Sequence, residues 1–160
     1  MNAPLECIEM KIPSKVEYVG VVRLTASGIA HRMGYTYDVI EDIKIAVSEA
    51  CTNAVHHAYE EAEDGEVKIT YGIYPDRLEI MVSDNGKNFD LNKIKEKRGP
   101  VRDTPLENMN EGGLGLFLIE TLMDEVKISG DSGVNVIMTK FLQKDEVEPY
   151  VDRISTSSSK

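Results

Sequence analysis

Tryptophan is absent from the chain, and cysteine is scarce, with only Cys7 and Cys51. Two cysteines without paired spacing build no disulfide framework, which points to a reduced, cytoplasmic setting. Even with the three histidines, His31, His56 and His57, they fall short of a zinc pattern. Cations are in the minority, 18 against 28 acidic residues, for a formal net charge of -10. Phosphate contact needs a cationic face, so neither nucleic acid nor an anionic membrane is expected as a direct partner. No apolar run approaches membrane-spanning length, and Glu6, Glu9 and Lys11 interrupt the segment where a secretory leader would be apolar. What remains is an ordinary soluble composition, 41% hydrophobic and 29% charged over 160 residues. That is enough for one domain with a real core.

The pattern divides cleanly into elements. Residues 7–12 alternate, with Ile8, Met10 and Ile12 on one side, and predict a strand that Pro13 ends. Ser14 and Glu17 have the spacing of a capping box, so a helix is expected from there. Its stripe is Val19, Val22, Ala26, Ile29 and Met33, with Gly34 as C-cap. A second helix is expected from about Asp38 to Tyr59, on the stripe Ile40, Ile43, Val47, Ala50, Ala54 and Ala58. After an acidic turn, Val67 to Ile73 and Leu78 to Val82 alternate around Pro75-Asp76, which predicts a hairpin. Residues 87–111 show no sustained period, and a stretch that long in a compact domain is expected to work as a lid or to be disordered. A third helix opens at Gly113 and Gly115, with Leu114, Phe117, Leu118 and Leu122 on its core side. Strands at Val126–Ile128 and Val134–Leu142 flank a turn at residues 130–133. One domain over 1–145 is expected, then a polar, flexible tail over 146–160. The fold class is α+β, a mixed, mostly antiparallel sheet with helices layered on one face.

Three short stretches carry chemistry. Glu49 and Asn53 are four apart on the second helix and share a face. A carboxylate there can take a hydroxyl proton, and an amide oxygen can hold a hard cation. Asp84-Asn85-Gly86 ends a strand, where a carboxylate can accept from an exocyclic amine and a glycine lets a flat ring approach. Gly112-Gly113-Leu114-Gly115 opens a helix, whose N–H groups make an anion site. Each stretch alone has a plainer reading: a solvated helix face, a capped turn, a hinge. The usual phosphate motifs do not match. No G-x-x-x-x-G-K-[ST] occurs, a dinucleotide fingerprint would need glycine where Leu118 stands, and the protein-kinase signatures are missing.

Taken in order, Glu49-x-x-x-Asn53, Asp84-x-Gly86-x-x-Phe89 and Gly113-x-Gly115 resemble the N, G1 and G2 boxes of the GHKL ATPases. Val47-Ser-Glu49-Ala-Cys-Thr52-Asn53-Ala-Val55 and Glu120-x-Leu122-Met123-Asp124-Glu125-Val126 are similar to the anti-sigma factor serine kinases within that superfamily. The resemblance covers roughly residues 7–142. It implies the Bergerat two-layer α/β sandwich and an ATP–Mg²⁺ kinase that phosphorylates a serine of an anti-anti-sigma protein of the RsbV type. It also implies a second partner, a sigma-B type sigma factor, and a homodimer. By the same resemblance Glu49 is the general base, Asn53 holds Mg²⁺, and Asp84 and Gly86 receive adenine, assisted by Thr139. Gly113, Leu114 and Gly115 would then cradle phosphates, and Arg23 would contact a partner. One departure stands out: Glu111 occupies the place where sporulation relatives carry an arginine, which leaves Arg98 or Arg102 as lid cations. Two other readings stay open, the ATP-binding domain of a sensor histidine kinase, with His31 as phosphoacceptor, and a non-catalytic sequestering module.

Overall fold

Alternation along the first segment produces the strand β1, Glu6–Pro13, in a computed structural model of the chain that describes residues 3–61, 64–84, 111–129 and 135–143. The expected capping box does not start the next helix. One turn of 3-10 helix, Val16–Tyr18, intervenes, and α1 runs Val19–Met33 without a side-chain cap. The reason is tertiary. Pro13 is still in register with Glu66, and the Ser14 N–H donates to Gly65 O at 2.9 Å, so Ser14 is buried at the sheet margin and unable to cap. At the other end Gly34 takes φ 98°, and its N–H reaches Ala30 O and His31 O. That left-handed turn is where glycine is needed.

The helix α2 spans Tyr37–Glu61. Ala46, Ala50, Ala54 and Ala58 recur every four residues on its buried side, next to Ile43, Val47, Cys51 and Val55. The small residues let it lie close to its neighbours. The hairpin follows as β2, Glu66–Ile73, and β3, Arg77–Ser83, then α3, Glu111–Leu122, β4, Glu125–Ser129, and β5, Asn135–Phe141. The five strands lie in the order β1-β2-β3-β5-β4, and each of these pairings is antiparallel. Val67, Ile69 and Tyr71, Leu78, Ile80 and Val82, and Val136 and Met138 alternate onto the face the helices cover.

The third helix turns a different face inward from the one its sequence suggested. Leu116, Ile119 and Met123 are buried, whereas Leu114 and Phe117 are 37% and 36% exposed. With apolar residues all round this helix, period alone cannot choose a face.

The expected lid at 87–111, except Glu111, and the turn at 130–133 fall outside the described residues, as do Gly86, Phe89 and the tail at 146–160.

Tyr71 fastens α1 to the sheet, its hydroxyl donating to Val22 O at 2.9 Å in the core. Tyr71→Phe is expected to cost about 0.5–1.5 kcal/mol, since the carbonyl keeps its helical partner and only one bond is lost. For a domain of this size that is a fall in Tm of roughly 2–4 °C for each kcal/mol, read from a thermal melt. An unchanged Tm would show that the hydroxyl fastens nothing.

Candidate nucleotide and phosphoryl-transfer site

The site begins with one line of α2. Glu49, Asn53 and His57 follow one another at single helical turns, each half-buried beside the alanine stripe. The carboxylate, the amide and the imidazole therefore face the same way along about 12 Å of helix axis.

The third helix closes over the first two of them. A Cβ built on Gly115 would stand 2.9 Å from Glu49 Oε2, 3.2 Å from Asn53 Nδ2 and 3.8 Å from Asn53 Oδ1. Gly115 is buried with ordinary helical backbone, so it is glycine for proximity and not for conformation. It is also the fifth residue of α3. Gly115 therefore makes room for those two side chains, and Gly113 and Leu114 precede it in the same helix.

Asp84 completes the line from the sheet. It directly follows β3, its side chain has no exposed surface, and its Oδ2 lies against His57 Nδ1. A buried carboxylate needs such a partner. Glu49, Asn53 and Gly115 thus share one contact region, and His57 joins it to Asp84. From sequence, His56 and His57 read as partly buried structural residues near the nucleotide. The signal for His57 was there in the spacing, four residues beyond Asn53. His56, by contrast, is exposed.

Two expected residues sit elsewhere. Thr139 is buried on β5, in register with Glu79 on one side and Glu125 on the other, five residues short of Asp84. The structure does not bring it to Asp84. Its carbonyl instead accepts from Asp124 N–H at 2.9 Å and closes the turn between α3 and β4. The β5 residue level with the end of β3 is Asn135, opposite Ser83. Arg23 is half-buried, and its Nη1 donates to Ser48 Oγ at 3.3 Å, next in sequence to Glu49. That bond braces α1 against α2.

Cys51 faces the core, and burial pushes its thiol up to about 12, which makes it packing and not a nucleophile. Burial likewise raises Tyr71, with Cys51 as the smaller cause. Among the described residues no group of three or more His, Cys, Asp or Glu gathers in a metal cage. One amide oxygen beside a carboxylate suits a hard cation that takes its other ligands from phosphates and water, the habit of Mg²⁺. Among the same residues, no helix is long and apolar enough to cross a membrane.

Known proteins resemble this chain along nearly its whole length. Residues 12–140 match the family model of the histidine kinase-like ATPase domain. Three curated relatives carry the name serine-protein kinase RsbW. That of Oceanobacillus iheyensis is 56% identical over 151 residues, covering 94% of this chain and 96% of the relative. That of Bacillus cereus is 56% identical over 160 residues, covering 99% of each. That of Halalkalibacterium halodurans is 57% identical over 155 residues, covering 96% of this chain and 94% of the relative.

Proposed function

From the premise that this chain belongs to the histidine kinase-like ATPase family, we propose that it is an ATP-dependent protein serine kinase and an anti-sigma factor. It binds and inhibits a sigma-B type sigma factor and phosphorylates a serine of that factor's anti-anti-sigma partner. The observation that supports the reading is the approach of Gly115 to Glu49 and Asn53, which puts a carboxylate and an amide against the early part of α3.

Each residue has a task in the transfer. Asn53 Oδ1 holds Mg²⁺, and the cation, when bound, neutralises the phosphate charge of ATP. Glu49 accepts the proton of the attacking seryl hydroxyl as its oxygen bonds to the γ-phosphorus. The bond from that phosphorus to the β–γ bridging oxygen breaks, and ADP leaves. The N–H groups of Gly113 and Leu114 face the phosphates at the start of α3. Asp84 accepts from the exocyclic amine of adenine, with Gly86 beneath the ring. Phosphoryl transfer asks the protein mainly for position and charge, so this short set suffices. Residues 87–111 serve as the lid, and Arg23 contributes to the partner surface from the N-terminal half of α1.

Assembly as a cytoplasmic homodimer fits β1. It pairs only with β2 among the described strands, and Leu5 and Ile8 beside that edge are 68% and 40% exposed. The sensor-kinase reading has less support, because relatives named serine-protein kinases match this chain almost end to end.

The test is direct. Incubation of the purified chain with radiolabelled ATP, Mg²⁺ and the co-purifying anti-anti-sigma protein is expected to place acid-stable label on one serine of that protein. Acid-labile label on His31 would overturn the serine assignment. Partner binding without any ATP affinity by calorimetry would reduce the chain to a sequestering module.

A further inference from the structure

The role given to Asp84 raises a question of orientation. A carboxylate at a strand end turns about a broad, roughly two-fold torsion. To discriminate between bases it must hold one oxygen toward the amine. Its side chain has no exposed surface, so bulk water does not orient it. One neighbour that touches it is the imidazole of His57, itself 26% exposed.

We propose that His57 is a positioning residue for purine recognition: Nδ1–H clamps Asp84 Oδ2 and so aims Oδ1 at the exocyclic amine of the base. The inference rests on the reading of Asp84 as the base contact.

The chemistry of the pair suits the task. Nδ1 is the ring nitrogen nearer the backbone, and α2 is anchored along its whole buried side, so the clamp inherits a stiff support. His57 also lies on the same line as Glu49 and Asn53. One rigid helix would then set the proton acceptor, the cation ligand and the base-reading carboxylate at fixed separations. A span of about 12 Å along the axis is comparable with the reach of bound ATP from γ-phosphate to base. A site that hydrogen-bonds a substrate N–H rejects the analogue that lacks it, provided its own polar group is held in place.

Inosine triphosphate is the analogue to use, because it replaces the amine with a carbonyl oxygen. Affinities of the full chain for ATP and ITP with Mg²⁺ would be measured by calorimetry for wild type, Asp84→Asn, His57→Ala, His57→Gln and His57→Asn. In asparagine the amide nitrogen falls near the place of Nδ1, whereas in glutamine it falls near Nε2. His57→Ala and His57→Gln are expected to weaken ATP about tenfold and leave ITP unchanged, the size of one lost hydrogen bond to a charged group. His57→Asn should keep the wild-type ratio. The rate of phosphate transfer at saturating ATP should stay within about twofold of wild type in all three, with the loss confined to KM. If Asp84→Asn leaves the ATP-to-ITP ratio unchanged, Asp84 does not read the base and the clamp falls with it. If Asp84→Asn collapses the ratio while His57→Gln and His57→Ala preserve it, the reading of Asp84 stands and the clamp is wrong. Should His57→Ala fail to fold by circular dichroism, the contrast between the Gln and Asn variants decides alone.

Discussion

Glu49→Gln is expected to lower phosphate transfer to the partner serine by roughly 10²–10⁴-fold, the usual worth of a positioned general base. ATP binding should stay within about twofold of wild type, because the amide keeps the shape of the side chain and does not touch the base. The residue is half-buried on α2, one turn from Asn53, so its carboxylate stands beside the amide that holds the cation under the proposed mechanism. Glutamine cannot take a proton at neutral pH, and nothing else in the described site is placed to do so. Cys51, two residues on, faces the core with its thiol held protonated by burial. The measurement is single-turnover transfer beside equilibrium nucleotide binding. Equal transfer rates would remove Glu49 from the mechanism, and parallel loss of binding would make it a ligand-site residue instead.

Gly115→Ala is expected to separate stability from activity. Alanine is preferred to glycine inside a helix by about 0.8–1.0 kcal/mol, and Gly115 has no unusual backbone to lose. Thermal stability should therefore hold or rise. The new methyl group would nevertheless stand 2.9 Å from Glu49 Oε2 and 3.2 Å from Asn53 Nδ2. Both atoms end flexible side chains, so they move aside at little cost to the fold. They are also the two groups whose placement the chemistry needs. A shift near 1 Å at reacting groups costs about 10²-fold, and transfer should drop by that order. The pair of measurements is a thermal melt and a transfer rate on the same preparation. Full activity in a stabilised variant would show that the close approach is packing alone.

Much of the fold was legible because its elements are amphipathic. Ile43, Val47, Ala50 and Ala54 announce α2, and the alternations either side of Pro75-Asp76 announce the hairpin. Glu49 and Asn53 were legible for the same reason, since one helix sets their spacing. The misses all depend on contacts distant in sequence. Ser14 and Glu17 have capping-box spacing, yet the pairing of β1 with β2 holds Ser14 to Gly65. Thr139 lies on a strand that alternates perfectly well, but only the register against β3 shows that it stands level with Glu79. Leu114 and Phe117 belong to a helix too uniformly apolar to declare its inner face. The tie between His57 and Asp84 spans α2, the acidic turn and a hairpin, and no local pattern carries it.

The position of β5 has a consequence for synthesis. It is translated after β4, yet it sits between β3 and β4 and supplies the described partner of both. A nascent chain halted before residue 135 therefore exposes the hydrogen-bonding flank of β3, a sticky template for other extended chains, and leaves β4 with nothing to join. The described sheet closes only once β5 has emerged from the ribosome, so truncated products should be ready prey for proteases and chaperones.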